Sequence, residues 1–195
     1  MFEGNFYHIY NRGNNRENIF FEENNYYYFL EKYDKYLTNY LETFAYCLLP
    51  NHFHLLVRVK ENTSKVLENP TDLPGVFHLS PLQKAFKDFF ITYAKAINNN
   101  YNRTGSLFQY KFKRKLIDKQ QYLTRLIVYI HLNPVRLGLC KKASEWKFSS
   151  YNSLLSSRTT KIKKEDVLSW FGRKKDFIDI HQSYRDFQTI RNILW

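Results

Sequence analysis

The chain has 195 residues, of which 44% are hydrophobic, so it is long enough to bury the core of one compact domain. Its 30 lysines and arginines exceed its 18 aspartates and glutamates, which gives a formal net charge of +12. That charge favours polyanionic partners, because basic side chains release the counterions condensed on phosphates, although a basic surface that only confers solubility is the alternative.

Two further features of the composition exclude other classes of protein. Only two cysteines occur, Cys47 and Cys140, which excludes a disulfide scaffold and suits reduced thiols. No apolar run approaches the roughly 20 residues that span a bilayer, and the polar N-terminus lacks the apolar core of a signal peptide. We therefore expect a cytoplasmic protein with no membrane partner.

The predicted elements begin with a strand, a helix and a hairpin. Residues 5–11 have the pattern of a strand, and the Arg-Gly-Asn-Asn segment that follows supplies turn chemistry. Apolar residues at three- and four-residue spacings predict a helix over 24–40. Residues 43–49 and 52–60 are predicted strands, and the Pro-Asn pair between them favours an antiparallel hairpin.

The second half of the chain begins with a predicted loop over 61–80, which is long for a compact domain and therefore indicates function or mobility. A helix is predicted over 81–98, and a strand over 107–117, where aromatic and basic side chains alternate. The next helix covers 119–133 and is expected to end at Pro134.

The order strand, helix, strand, strand, helix, strand matches the β-α-β-β-α-β unit of ferredoxin-like and RRM-like folds. We therefore predict an α+β fold whose antiparallel sheet has helices on one face and leaves the other face free for a ligand. The predicted domain covers residues 1–151 and includes the helix 119–133. Residues 152–195 are predicted to form a helical C-terminal extension, with Trp170 and Trp195 as its anchors.

Two histidines, His52 and His54, lie two residues apart on a predicted strand. Because strand side chains alternate, both point to one face, whereas Phe53, Leu55 and Val57 point to the other. Two imidazoles so placed can share a metal ion, although two half-exposed histidines without a ligand are the alternative. The apolar opposite set favours a position of both histidines on the open face of the sheet.

The helix 119–133 carries a tyrosine and an asparagine outside its apolar stripe. Tyr129 and Asn133 are one turn apart, so they can meet a common target. The amide oxygen of Asn133 can complete a metal shell begun by two imidazoles, and the hydroxyl of Tyr129 can attack phosphorus. Amphipathic packing is the alternative for any one of the 16 tyrosines. His131, between the two residues, is predicted to point away, as a surface group or a group behind the site.

Several segments, in this order, resemble the REP-associated tyrosine transposases, relatives of the single-tyrosine HUH insertion-sequence transposases. They are YHIYNRGNNRENIFF at 7–21, AYCLLPNHFHLLV at 45–57, TGSLFQYKFKRKLI at 104–117 and YIHLNPVRLGL at 129–139, followed by WKFSSY at 146–151. The resemblance covers residues 5–151. It does not extend to the last 40 or so residues or to the 61–80 loop, which leaves the target preference open.

The resemblance implies a particular chemistry. A divalent cation, Mg²⁺ or Mn²⁺, is held by His52 and His54, with Asn133 as a possible third ligand, and polarises a phosphate of single-stranded DNA. Tyr129 attacks that phosphate and forms a 5′-phosphotyrosine link with release of a 3′-hydroxyl, and the reverse reaction joins strands. Mg²⁺ prefers oxygen ligands, so two imidazoles favour Mn²⁺ or a Mg²⁺ site completed by phosphate.

A single strand of DNA is commonly held by a basic groove with aromatic faces that stack on bases. The segment 107–117 offers both kinds of side chain, and other basic and polar residues flank the first strand and the tyrosine helix. The predicted DNA-binding residues are Arg12, Asn14, Arg16, Lys111, Lys113, Arg114, Lys115 and Arg136. Each alone is more often a solvated surface residue, so the prediction depends on their joint placement around the site.

We therefore expect a transposase, a metal-dependent nuclease and strand transferase acting on single-stranded DNA with hairpin ends, as a monomer or a homodimer. Two alternatives are a domesticated transposase that binds nucleic acid without cutting it, and a metal-dependent hydrolase that uses water. In the last case Tyr129 has only a structural role.

Overall fold

The computed structural model of the protein describes residues 1–61 and 79–183. The strands in these ranges are β1 (Phe6–Arg12), β2 (Leu41–Leu49), β3 (His52–Val59) and β4 (Lys113–Ile117). The α-helices are α1 (Glu23–Leu37), α2 (Pro81–Asn100), α3 (Gln120–Arg136), α4 (Tyr151–Leu155), α5 (Lys164–Phe171) and α6 (Lys174–Ser183). Most of the predicted 61–80 loop, and the predicted anchor Trp195, lie outside the described residues.

The four strands form one antiparallel sheet in the order β2-β3-β1-β4. The chain passes through strand, helix, strand, strand, helix and strand, so the predicted α+β fold is confirmed. β3 pairs along its length with β1 on one side and with β2 on the other, which places the histidine-bearing strand inside the sheet. None of the helices in the two described ranges is both long and apolar enough to cross a membrane.

Helices α1 and α2 pack on one face of the sheet over a core rich in aromatic rings. Phe53, Leu55 and Val57 of β3 point into this core, as strand alternation predicts. Phe29 of α1 meets Phe89 of α2 edge to face, with ring centroids 4.9 Å apart. Because adjacent strand residues point to opposite sides, this core also fixes the direction of the two histidines of β3.

The opposite face of the sheet is covered, which corrects the prediction that it is left free. Helices α3, α5 and α6 contribute to a second core there, in which Phe44, Ile127 and Phe177 are fully buried. Trp170 of α5 stacks on Phe44 with ring centroids 5.1 Å apart, the anchoring role predicted for it. The physical reason lies in β2, whose side chains are apolar on both faces and need a cover on each.

The fourth strand is shorter than predicted. It begins at Lys113 and not at 107, since Lys111 has a left-handed backbone (φ 60°) that an extended strand cannot contain. Phe108 still forms an isolated antiparallel bridge with Gly13. The aromatic and basic alternation of 107–117 is therefore divided between an irregular segment and the strand.

Helix α3 runs through Pro134 and ends at Arg136, which corrects the prediction that the proline ends it. A proline ring removes one helical hydrogen bond. The last turn continues nevertheless, because the backbone N–H of Leu137 donates to the carbonyl of Asn133 at 3.0 Å. Asn133 and Arg136 thus lie on the same helix as Tyr129.

Gly13 closes β1 next to the hairpin that carries the histidines. Its backbone N–H donates to the carbonyl of Asn51 at 2.8 Å. A Cβ at this position would lie 2.0 Å from the carbonyl oxygen of Glu17, which is backbone and cannot rotate away. The turn therefore requires glycine for space and not for an unusual backbone angle, as its φ is −61°.

We expect Gly13→Ala to lower the free energy of unfolding by about 3 kcal/mol, the upper end of the usual cost of overpacking. Gly105→Ala is the matched control, because Gly105 has a left-handed φ of 82° but open space where a Cβ would be. Its expected cost is about 1 kcal/mol. Urea denaturation of both variants measures the difference, and equal losses would contradict the steric explanation.

Candidate active site

The antiparallel pairing of β1 with β3 assembles polar side chains on the face of the sheet that α3 covers. Tyr10 lies opposite His54 and Arg12 lies opposite His52. His8 is two residues before Tyr10, so its side chain points to the same face. Side chains of two strands whose paired residues are 40 or more positions apart in the chain therefore meet around the histidine pair.

The two predicted metal ligands lie side by side, as the spacing predicts. The ring centroids of His52 and His54 are 5.2 Å apart and the ring planes are nearly perpendicular, at 89°. His54 is buried, with 1% of its surface exposed, whereas His52 is half-buried. The Nδ1 of His52 lies 2.6 Å from the amide oxygen of Asn51, so this nitrogen donates and Nε2 keeps the lone pair.

A third histidine belongs to the same cluster, although the sequence pattern did not identify it. His8 of β1 is fully buried, and its Nε2 lies 3.0 Å from Nδ1 of His54. Alternation along β1 places His8 on one face with Tyr10, but only the register of β1 against β3 tells which face that is. The signal in the sequence was therefore present but could not be assigned to the site.

Helix α3 brings Tyr129 and Asn133 to the histidines from above the sheet. The ring of Tyr129 meets that of His54 edge to face, with centroids 5.6 Å apart. Asn133 is fully buried one turn later. Arg136 follows on the same helix, with its guanidinium 5.5 Å from the centre of the Tyr129 ring and an N–H donated to Oδ1 of Asn133 at 2.9 Å. The structure thus brings the tyrosine into contact with the histidine pair, and Arg136 links the asparagine to both.

Where α3 meets β3, three buried polar atoms of these two elements have no hydrogen-bond partner among the described residues. They are Nε2 of His54, the hydroxyl of Tyr129 and Nδ2 of Asn133. Native proteins pair roughly 90% or more of such groups, because an unpaired buried donor or acceptor costs about 1–3 kcal/mol. A cluster of three from two elements is what a site has when its polar groups serve a ligand.

The histidines of the site are neutral at neutral pH. Burial, with smaller contributions from the charges of Arg12 and Arg136, lowers the pKa of His52 to about 4. Burial also holds the pKa of His54 well below its usual value, with smaller contributions from His8, His52 and Arg136. Neutral imidazoles keep a free lone pair, which is the form that binds a metal ion.

The residues present fit a metal ion that takes only some of its ligands from the protein. Within residues 1–61 and 79–183, no group of three histidine, cysteine, aspartate or glutamate side chains could hold an ion. The available donors are the Nε2 atoms of His52 and His54 and the amide oxygen of Asn133, which now accepts from Arg136. A set of two imidazoles and one amide leaves positions that the oxygens of a phosphate can fill.

The predicted basic residues divide between the two faces of the sheet. Lys113 lies opposite Tyr10 and Lys115 lies opposite His8, so both point to the histidine face. Arg114 lies opposite Ile9, whose side chain belongs to the α1–α2 core, and is therefore directed away from the site. The structure joins two of these three residues to the site and separates the third.

Arg12 and Arg136 are joined to the site as well, since both lower the pKa of His52. The remaining predicted contacts lie on exposed turns. Asn14 and Arg16 are in the 3₁₀ turn after β1, and both are exposed. Lys111 is exposed too, with its ammonium 5.3 Å from the centre of the Tyr110 ring, which is itself 87% exposed.

His131 is fully buried, which corrects its prediction as a surface group. Its Nδ1 lies 3.0 Å from Nε2 of His181, and its Nε2 lies 2.7 Å from the hydroxyl of Ser150. His181 in turn donates from Nδ1 to the carbonyl of Phe177 at 2.7 Å. Every ring nitrogen of this second histidine pair has a partner, so its role is to join α3 to α6.

Comparison with known proteins agrees with the motifs. No family model matches the chain. The chain is 27% identical over 113 residues to a Haemophilus influenzae protein named as a REP-associated tyrosine transposase; the match covers 57% of this chain, which spans 59% of that relative. The fold resembles a solved REP-associated tyrosine transposase bound to a REP hairpin, with a TM-score of 0.60, 17% identity, and coverage of 80% of this chain and 82% of that one. Together the two comparisons confirm the predicted family resemblance.

We expect the protein to lose stability as the pH falls from about 6.5 to about 4. Burial lowers the pKa of folded His181 to about 4, whereas an unfolded histidine titrates near 6.5. The unfolded chain therefore binds more protons in this window. The contribution of neutral His181 to the free energy of unfolding is fully present above pH 6.5 and is lost as the pH falls toward 4. Urea denaturation across this pH range measures the effect.

The double variant His131→Leu/His181→Leu serves as the comparison. Replacing both partners of a buried hydrogen-bonded pair by apolar groups changes stability little at neutral pH. Its stability should decline less steeply with falling pH than that of the parent protein, and an unchanged decline would show that this pair does not contribute.

Proposed function

We propose that this protein, whose family both comparisons support, is a transposase that cleaves and rejoins single-stranded DNA by attack of Tyr129 on phosphorus. The observation that carries the proposal is the junction of β3 and α3. There the hydroxyl of Tyr129 and Nε2 of His54 are buried together without partners among the described residues, under a basic guanidinium. A phosphate and a cation are the ligands whose chemistry complements this set.

His52 and His54 would hold a divalent cation, Mn²⁺ or Mg²⁺, through their Nε2 atoms, with the amide oxygen of Asn133 as third ligand. When bound, the cation supplies a positive charge that polarises the scissile phosphate and stabilises the charge developing on it. The protein's own part is to present two neutral imidazoles whose burial excludes water from one side of the site.

Tyr129 would be the nucleophile. Its phenolic oxygen forms a bond to phosphorus while the bond from phosphorus to the 3′ oxygen breaks, and the phenol proton leaves as the 3′ oxygen gains one. The products are a 5′-phosphotyrosine and a free 3′-hydroxyl, and the reverse sequence joins strands. The contact of the Tyr129 ring with His54 would hold the attacking oxygen close to the nitrogen proposed to bind the cation.

Arg136 would change partners when DNA binds. In the structure it donates to Asn133 and lies over the ring of Tyr129, which has only 1% of its surface exposed. A guanidinium and a cation repel each other at one amide oxygen. Rotation of this exposed side chain onto a phosphate would release Asn133 and uncover the hydroxyl of Tyr129.

The DNA would run along the histidine face. Lys113 and Lys115 of β4 and Arg12 of β1 point to that face, and each can contact a phosphate. The solved structure with a similar fold contains a REP hairpin. We therefore propose a single strand next to a hairpin as the substrate class, with Asn14, Arg16 and Lys111 as outer contacts.

A domesticated protein that binds such DNA without cutting it is the second candidate. The observation that favours it is the burial of Tyr129 beneath Arg136, which is unusual for a nucleophile. A metal-dependent hydrolase that uses water remains the third. All three candidates predict DNA binding, so the fate of Tyr129 distinguishes them.

Incubation with Mn²⁺ and hairpin-bearing single-stranded DNA should give a covalent protein–DNA adduct that migrates slowly in denaturing gels. Tyr129→Phe should abolish the adduct, because it removes only the attacking oxygen. Tyr122→Phe, a conservative change two turns earlier in α3, is the matched control and should leave the adduct in place. Binding without any adduct would favour the domesticated protein, and full cleavage by Tyr129→Phe would favour the hydrolase.

Arg136→Ala should change metal and DNA affinity in opposite directions. Without DNA, loss of the nearby charge should raise the affinity for Mn²⁺ by about two- to fivefold, the range for partly exposed charges. Loss of one phosphate contact should weaken DNA binding and lower the slope of log K against log salt concentration by about one unit. Isothermal titration measures both affinities, and Arg125→Ala on the same helix is the control. A change of the same sign in both affinities would contradict the proposed exchange of partners.

A further inference from the structure

Two histidines at the centre of the sheet share a hydrogen bond. His8 of β1 and His54 of β3 are both buried, and Nε2 of His8 lies 3.0 Å from Nδ1 of His54. Their rings are almost parallel, at 18°, and Tyr10 stacks on the ring of His8 with centroids 4.7 Å apart. The packing on both strands therefore holds the two rings in one geometry.

His52, the other predicted metal ligand, also uses its Nδ1 atom for a hydrogen bond. His52 uses Nδ1 to meet the amide oxygen of Asn51, and His54 uses Nδ1 to meet His8. In both residues Nε2 is the nitrogen left over. A neutral imidazole has one N–H and one lone pair, so Nε2 can bind a cation only when Nδ1 carries the proton.

We propose that His8 is a positioning residue for the metal site: its Nε2 accepts the Nδ1–H of His54 and so keeps the lone pair of His54 on Nε2, directed at the cation. This inference rests on the proposed function, because it concerns the site formed by His52 and His54. Partners of this kind fix the tautomer and the ring angle of a ligand histidine.

His8 is not itself placed to be a ligand. Its Nε2 is occupied by His54, and its Nδ1 is buried without a partner among the described residues. If Nε2 of His8 accepts, Nδ1 must carry a proton that has no hydrogen-bond acceptor, which costs about 1–3 kcal/mol of stability. An apolar residue of similar size would avoid that loss, so stability does not explain a histidine at this position.

The experiment measures Mn²⁺ affinity of the full chain without DNA, by electron paramagnetic resonance of free Mn²⁺. His8→Leu should fold as stably as the parent or more so, yet bind Mn²⁺ about 10- to 100-fold more weakly. His8→Gln should recover most of the affinity, because its amide oxygen can accept the same N–H. His181→Leu is the matched control: it removes one partner of the other buried pair, also 3.0 Å apart, and should leave Mn²⁺ affinity unchanged.

The ring tautomer gives a second readout that a purely structural role would not move. In ¹⁵N NMR spectra of the parent protein, the proton of His54 should be on Nδ1, and His8→Leu should shift it to Nε2. A parent spectrum with the proton on Nε2 overturns the proposal, and so does unchanged Mn²⁺ affinity in His8→Leu. Since the parent tautomer is measured directly, a variant that fails to fold does not protect the proposal.

His52→Ala separates this inference from the proposed function. If His52→Ala and His8→Leu both leave Mn²⁺ binding unchanged, the metal site itself is absent and the proposed function fails with it. If only His52→Ala weakens binding, the metal site stands and the positioning role of His8 is wrong.

Discussion

The register between β1 and β3 is the constraint on which the site depends. Tyr7 and Ile9 of β1 are buried in the α1–α2 core, which turns the alternate residues, among them His8 and Tyr10, toward α3. A slip of one residue would exchange the two sets, because side chains alternate along a strand. The cost of exposing that aromatic core therefore holds a polar cluster in place on the other side of the sheet.

The two buried histidine pairs show how differently similar geometry can be used. In the pair His131 and His181, the two ring nitrogens that do not join the histidines to each other have hydrogen bonds to Ser150 and Phe177. In the pair His8 and His54, one nitrogen of each ring has no partner within residues 1–61 and 79–183. Satisfied polar groups stabilise a fold, whereas the unsatisfied Nε2 of His54 indicates a place where a ligand completes the site.

Electrostatics and burial act together at the site. Burial, aided by the charges of Arg12 and Arg136, keeps the histidines neutral. The same positive charges attract phosphate, but they oppose a cation that arrives alone. A negatively charged DNA backbone would neutralise them, so the proposed metal and DNA each favour the binding of the other.

Short-range periodicity was enough to predict the core of the candidate site. Alternation placed His52 and His54 on one face, and the helical offset placed Tyr129 and Asn133 one turn apart, because both relations depend only on neighbouring residues. The continuation of α3 through Pro134 was not predicted, because the hydrogen bond from the N–H of Leu137 to the carbonyl of Asn133 keeps the last turn helical beyond the proline. The position of His8, the outward direction of Arg114 and the covered second face depended on pairing between strands far apart in the chain. Only the tertiary structure decides such relations, since the free energy of burying two cores, and not local preference, selects the register.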